Sequence, residues 1–497
     1  MDSLLLRWTG ELADAVSGMA LVATLLGAGA FFTYRFGGVQ IRALFESLRV
    51  MAGSGTGAGR GITPFQAFAT GLASRVGTGN IAGVAVALSM GGPGAIFWMW
   101  MTALLGMASA FGESTLAQIF KVPHRDHTFR GGPAYYIRDG LKAKWLGNIF
   151  AAALIFAFGF ALNTVQANSI ADAFHTSFGW SKMAVGIGLV LITIPIVFGG
   201  IRRIALSAQY IVPLMALIYI GLSGYVVLVN FEAIPSVLGT IYRHAFGVEQ
   251  AAGGTAGYAV GQAVMMGVRR GLFSNEAGMG SAPNAAAVAT AKHPVQQGLL
   301  QMLGVCFDTM IVCTGTAALI LLSGAFEPGG GMVGASLTQR AMAVHVGEWG
   351  LPYMAVTLFF LAYSSVLGNC AYAEVNVDFL TKHPAALYLF RLAVVCAVMT
   401  GALSSLPLVW SLADISTALM AFINIAAVVL LSRYIVIAWH DYRMQRKAGI
   451  RAPVFSRATL GDLDMYIHAE VWGPKTSMGQ KESSEHALIG EQTRQTQ

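Results

Sequence analysis

The chain has 497 residues, 55% of them hydrophobic and only 11% charged, with 59 glycines and a net charge of +7. Soluble globular proteins carry about 25% charged residues, so a soluble multidomain protein is excluded, and disordered, collagenous and coiled-coil chains go with it. The basic excess sits in loops between apolar runs, which reads as membrane topology rather than a nucleic-acid surface, and the four cysteines lie inside apolar runs with no Cys-x-x-Cys pair, which argues against a disulfide framework or a zinc site.

A bilayer crossing needs about 20 mostly apolar residues. Runs of that kind near 16–36, 65–89, 94–120, 147–174, 182–199, 204–230, 255–290, 296–325, 350–378, 384–404 and 408–438 predict an all-α membrane protein of eleven transmembrane helices. Basic residues favour the cytoplasmic loops. They cluster on every second loop: Arg35, Arg42, Arg49 and Arg60, then Lys121 to Lys144, then Arg202 and Arg203, Lys292, Lys382 and the tail from Arg443. The alternation predicts a multi-pass protein of eleven spans, with the N-terminus outside and the C-terminus in the cytoplasm. The tail after about 450, rich in Lys, Glu, Gln and Ser beyond Lys475, has too little apolar content to fold alone and is expected to be disordered.

The second and seventh runs differ from the rest, because a polar, glycine-rich stretch interrupts each at mid-membrane: Arg75 to Asn80 in one, Leu272 to Gly280 in the other. If the first helix is an addition, these two runs open two halves of five helices, and an odd number of spans inverts the second half relative to the first. The expected organisation is therefore 1–64, an extra helix with a Gly-rich cytoplasmic linker; 65–230, the first repeat; 231–440, the second; and 441–497, the tail. Paired broken helices in inverted repeats mark the midplane binding site of secondary transporters. Unpaired backbone at that depth costs several kcal/mol, so it survives where it lines a cavity or binds something. A half-helix beginning near Gly79 and Asn80 offers N–H groups to an anion, and the freed carbonyls of Ala73, Arg75 and Val76 offer hard oxygens to a cation. A small zwitterion plus an alkali cation suits that chemistry. Gly257-xxx-Gly261 and Gly267-xxx-Gly271, in contrast, read as helix-packing motifs.

Several stretches resemble the alanine/glycine:cation symporters: Val76-Gly77-Thr78-Gly79-Asn80-Ile81-Ala82-Gly83, Gly91 to Trp100, Gly131 to Ile137, Val165-Gln166-Ala167-Asn168-Ser169 and Gly271 to Gly278. The likeness covers about residues 15–440, in order. It implies a leucine-transporter-type fold of ten core helices in a 5+5 inverted repeat, one extra N-terminal helix, alternating access, and uptake of alanine or glycine with Na⁺. It also implies a substrate carboxylate at Gly77, Thr78 and Gly79 beside Asn80, with Asn163 and Gln166 facing the substrate and Phe273, Ser274 and Asn275 around its amino group. By looser analogy within that fold, Na⁺ would take the carbonyls of Ala73, Val76 and Leu361 and the hydroxyls of Ser364 and Ser365. Where relatives carry an aromatic residue and Gly-Glu-Lys, this chain reads Gly368-Asn369-Cys370-Ala371-Tyr372-Ala373-Glu374, so Asn369 bears on whether alanine, glycine or another neutral amino acid such as glutamine or serine is preferred.

Glu113, Arg269, Arg270, Glu276, Asp308 and Asp414 fall inside apolar runs, where charges are costly and point to function. Glu276 is expected to pair with Arg75 in a cytoplasmic gate. Arg269 and Arg270 would line an external vestibule or cap Asp308 or Asp414, and Trp410, one turn before Asp414, suits a gate. A buried Asp or Glu keeps H⁺ coupling as the rival to Na⁺, and a channel is the rival by class. The loop Gly53 to Gly61 lacks the ending of a phosphate-binding loop, and no nucleophile elbow or zinc-helix motif occurs, so an enzyme is not expected. Beyond amino acid, cation and lipid, no partner is implied, and oligomeric state is left open.

Overall fold

Proline in a first helical turn costs nothing, because the N–H it lacks has no partner there. The chain uses it at Pro64, Pro294, Pro384 and Pro407, each opening a long helix, and Thr63 adds a reciprocal capping box with Gln66. A computed structural model describes residues 2–55, 61–124, 128–199, 214, 217–247, 256–327 and 330–473, which are mostly helical. The helices are α1 (Asp2–Val16), α2 (Met19–Arg35), α3 (Pro64–Arg75), α4 (Val84–Gly91), α5 (Gly94–Ile119), α6 (Lys144–Phe178) and α7 (Lys182–Val197). They continue with α8 (Leu217–Val229), α9 (Ile234–Ala245), α10 (Ala256–Asn275), α11 (Ala282–Val288), α12 (Pro294–Ser323), α13 (Ala335–Val346), α14 (Gly350–Leu380), α15 (Pro384–Leu403), α16 (Leu406–Leu430) and α17 (Ser432–Lys447). Short helices at Val39–Arg42, Leu44–Ala52 and Pro133–Gly140 link them, with a two-stranded ribbon pairing Val122–Pro123 with Phe129–Arg130.

Polarity is inside out. Leu191, Leu217, Leu228, Leu389 and Leu430 are 65–74% exposed, while Glu113, Asp308, Asn163 and Asn275 are wholly buried. Only a hydrocarbon solvent makes that distribution favourable. Among the described residues seven helical stretches are each long and apolar enough to span a membrane, the first running Leu6–Arg35, and the pair Leu217–Val229 and Phe231–Ala245 bends by 76° as a further candidate. The first span therefore starts earlier than the sequence pattern suggests, and the last apolar run divides at Leu431 into α16 and α17. The predicted 204–230 run falls partly outside the described residues.

Two helical runs are interrupted at the polar stretches. The first break runs Val76–Thr78 and resumes through a π-helical turn at Gly79–Gly83, and the second runs Glu276–Ser281. Phe273, Ser274 and Asn275 thus end a helix rather than lie in unwound chain, because α10 keeps its hydrogen bonding to Asn275. Both broken spans pack against α5. Gly267 makes the approach possible: a Cβ there would sit 2.5 Å from the Ala95 carbonyl oxygen, whereas Gly257 and Gly261 face open space and do not act as a packing motif.

The disordered tail is the clearest correction. Helix α17 runs to Lys447, and the chain then folds back over the bundle, with Phe455, Leu460, Ile467 and Trp472 buried. The Phe455 N–H donates to the Lys292 carbonyl (3.0 Å), its ring meets His293 and Trp472, and the Trp472 indole donates to the Gln118 carbonyl (3.1 Å). Few apolar residues suffice because each enters a site that folded helices already provide. Residues 474–497 lie outside the described residues, as do 56–60 of the Gly-rich linker. Beneath this strap Lys121 is buried against the Phe129 and Trp472 rings (4.1 and 4.8 Å) and donates to Gln118 Oε1 and the Ala289 carbonyl (both 2.8 Å).

Burial pushes the Lys121 ammonium down from 10.5 to about 7. Between those values the unfolded chain holds a proton that the folded one has released, so stability rises with pH through that window. Thermal unfolding of the wild type and Lys121→Met in detergent should show the wild type gaining midpoint relative to the variant between pH of about 7.5 and about 9.5. Parallel curves would place the amine in water.

Candidate functional site

At the first break the backbone finds side-chain partners. The Gly77 N–H donates to Asn80 Oδ1 (2.9 Å) and the Thr78 N–H to Gln166 Oε1 on α6 (3.1 Å). Glycine is required at 77, since a Cβ would lie 2.1 Å from Ser365 Oγ and 3.1 Å from Gln166 Oε1. The break is therefore pressed between α6 and α14, with two consecutive N–H groups held by exchangeable carboxamides. The Thr78 hydroxyl is buried with no partner among the described residues.

The helical segments flanking the two breaks touch. A Cβ on Gly79 would sit 3.0 Å from the Ser274 Cα, and Asp308, in a π-helical stretch of α12, joins both. Its carboxylate accepts from Asn80 Nδ2 (2.6 Å), Ser274 Oγ (2.8 Å) and Thr309 Oγ1 (2.9 Å). All three donors are neutral, so the anionic charge is solvated by the site but not cancelled at contact distance. Asn275 turns into its own break: Oδ1 caps the Ala277 N–H (3.0 Å) and Nδ2 reaches Thr309 (3.3 Å).

The second break needs more support, for Glu276, Gly278 and Gly280 all have positive φ. Glu113 of α5 supplies it, accepting from the N–H groups of Gly278 (3.3 Å) and Gly280 (3.2 Å) and from Asn424 Nδ2 (2.6 Å), which also donates to the Gly278 carbonyl. Tyr136 in turn bonds Asn424. On the first break, Thr338 of α13 donates to the Ile81 carbonyl (3.2 Å).

Of the expected cation ligands, Ser365 Oγ bonds the Ala73 carbonyl across helices (3.0 Å) as well as Leu361 (3.2 Å), and Ser364 bonds Leu361 (2.8 Å). Val76 ends α3 with ψ of 90°, which turns its carbonyl out of the helical direction. Hydroxyl and carbonyl oxygens are hard donors, the kind an alkali cation takes. Asn369 sits one layer away, donating to Asn163 Oδ1 (2.9 Å) and accepting from Ser74 (2.8 Å), so Asn163 and Asn369 line one polar seam with Glu276.

The Arg75–Glu276 pair does not form. Glu276 accepts from the hydroxyls of Ser74 and Ser281 (both 2.6 Å), while Arg75 donates to the Gln301 carbonyl (3.1 Å). Lying beside the two breaks does not aim the side chains at each other, and the serines are nearer. On the other side Phe273 meets Trp410 (ring centroids 4.6 Å apart), Arg270 lies 4.2 Å over the Trp410 ring, and Arg270 pairs with Asp414. Arg269 pairs with Asp14 (3.0 Å) and donates to the Ser17 carbonyl (2.8 Å), so both arginines are buried in contacts rather than lining an open vestibule. Sequence reasoning marked Glu113 and Asp308 as costly charges without giving them roles, and no local signal pointed to Asn424, Thr309 or Thr338.

A model of the sodium:alanine symporter family matches residues 1–457. An uncharacterized transporter of Haemophilus influenzae is 50% identical over 450 residues, 90% of this chain and 93% of that protein. A probable sodium/glutamine symporter of Bacillus subtilis is 44% identical over 461 residues, 93% and 95% of the two chains. A sodium/alanine symporter of Methanococcus maripaludis is 41% identical over 433 residues, 85% and 93%.

Removing the Glu113 carboxylate strands two backbone N–H groups and an amide, each worth about 1–3 kcal/mol when buried unpaired. Glu113→Ala should lower unfolding stability by about 3 kcal/mol or more, and Glu113→Gln, whose amide oxygen still accepts, by less than half of that. Equal loss in both, read by thermal unfolding at matched detergent, would make the charge rather than the acceptor decisive.

Proposed function

The chain belongs to the sodium:alanine symporter family, and on that premise we propose that it is a secondary transporter importing a small neutral amino acid together with Na⁺. It is a transporter and not an enzyme. The observation that carries the reading is the meeting of the two breaks, where Asn80 and Ser274 share the carboxylate of Asp308 beside backbone N–H groups held only by carboxamides. A substrate carboxylate would displace Gln166 from the Thr78 N–H and take the positive end of the half-helix that begins at Gly79. The α10 end, Phe273 to Asn275, would face its amino group. Na⁺ would sit among the oxygens of Ala73, Val76, Leu361, Ser364 and Ser365, where the Ser365 hydroxyl already bridges two helices.

In this reading the chain crosses the inner membrane eleven times as a 5+5 inverted repeat of leucine-transporter type after one extra helix, N-terminus out and C-terminus in. Phe273, Trp410, Arg270 and Asp414 close the outer side. Alanine or glycine is the favoured cargo. The Asn369–Asn163 amide pair is the seam along which a carboxamide such as that of glutamine would be accommodated, in keeping with the name of the Bacillus subtilis relative. A second reading, H⁺ coupling, rests on Asp308, a buried carboxylate with only neutral hydrogen-bond donors.

Equilibrium binding of tritiated alanine to purified protein separates these. Thr78→Ala and Asn275→Ala should lose binding at least tenfold while remaining monodisperse. Ser365→Ala should raise the half-saturating Na⁺ concentration at least tenfold yet bind alanine normally when Na⁺ is saturating. Wild-type affinity in the first two variants would sink the substrate site, and an unchanged Na⁺ requirement in Ser365→Ala, with Na⁺ dependence lost in Asp308→Asn, would move the cation to Asp308.

A further inference from the structure

Where α2 ends, the chain turns along the bundle edge as the two short helices Val39–Arg42 and Leu44–Ala52 and meets α17. One face of this turn is buried through Val39, Ala43 and Ser47, while Ile41 and Phe45 are 71% and 83% exposed on the other. Exposed apolar residues directly after a membrane span lie at the edge of the hydrocarbon. Between the turn and α17 opens a cavity of about 260 Å³ lined by Arg42, Glu46, Trp439, Arg443, Arg446 and Lys447, among others.

The charges are unequally used. Glu46 is taken up by Arg446 (2.9 Å), Arg49 (2.9 Å) and the Tyr442 hydroxyl (2.9 Å), and Arg446 also donates to the carbonyls of Ile450 and Arg451 (both 3.1 Å). Among the described residues Arg42, Arg443 and Lys447 have no acidic partner, and Arg443 only lies over the Trp439 ring (5.8 Å). Trp439 is itself fixed by its bond to the Phe36 carbonyl (3.3 Å). Three uncompensated cations around a formed crevice, with acyl-facing residues beside it, match one ligand chemistry: a phosphate carried on acyl chains.

We propose that this crevice binds the headgroup of an anionic phospholipid, with Arg42, Arg443 and Lys447 on the phosphate and Ile41 and Phe45 against the acyl chains. It depends on the chain being a membrane protein but not on the substrate or coupling ion. The site ties the α2 end to α17, so an occupied crevice would hold these two segments together.

Native mass spectrometry of the delipidated full chain, titrated with phosphatidylglycerol or phosphatidylcholine of the same acyl chains, tests it. Each cation near a membrane surface is worth about 1 kcal/mol, so the wild type should retain phosphatidylglycerol at least about tenfold better. Arg42→Gln/Arg443→Gln/Lys447→Gln should lose that preference, and Lys144→Gln/Lys382→Gln, which removes charge from other exposed positions, should keep it. The comparison of the two lipids on the wild type stands even if the triple variant fails to fold. Equal retention of both lipids, equal loss in the control variant, or displacement of the lipid by millimolar inorganic phosphate would overturn the proposal, the last by making this a free-anion site.

Discussion

Two stretches of backbone at membrane depth lack helical hydrogen bonds, and the rest of the bundle is organised around satisfying them. Water is not there to do it, and each unmet N–H or C=O would cost several kcal/mol. At the first break Asn80 and Gln166 take the N–H groups of Gly77 and Thr78. At the second, Glu113 takes those of Gly278 and Gly280 and is itself steadied by Asn424. The two solutions differ in strength. A carboxylate with three donors fixes the second break, whereas the first is held by neutral carboxamides that a stronger anion can replace, which is why the proposed substrate carboxylate is placed there.

The same constraint explains why Asp308 and Glu276 tolerate burial. Glu276 accepts from the hydroxyls of Ser74 before the first break and Ser281 after the second, and Asp308 from Asn80, Ser274 and Thr309, so the two carboxylates bind the broken runs to each other and to α12 rather than merely occupying them. A change in what these carboxylates hold, whether a cation or a proton, would be felt at both breaks at once.

Much of this was legible in the sequence. Glycine and polar residues inside apolar runs cannot continue a membrane helix without reason, so both breaks, and the resemblance carried by Val76 to Gly83 and Gly271 to Gly278, can be read from the residues alone. The partners did not. Glu113 lies 165 residues from Gly278, and Asn424 lies 311 from Glu113, so their meeting is set by helix packing that no local pattern encodes. The Arg75–Glu276 pairing failed for a related reason, since the direction of a side chain at a break depends on the broken backbone itself. The strap ending at Trp472 was hidden because its four buried apolar residues follow no helical or strand period and gain their burial from a surface elsewhere in the chain.

The central claim is that the paired breaks form one site in which a small neutral amino acid and Na⁺ are carried together. Uptake of radiolabelled alanine, glycine and glutamine into proteoliposomes, driven in separate experiments by an inward Na⁺ gradient and an inward H⁺ gradient, addresses it most directly. The account predicts saturable accumulation of at least one of the three above the external concentration with the Na⁺ gradient alone. Accumulation under H⁺ alone, or a flux that dissipates the gradient without concentrating any amino acid, would contradict it.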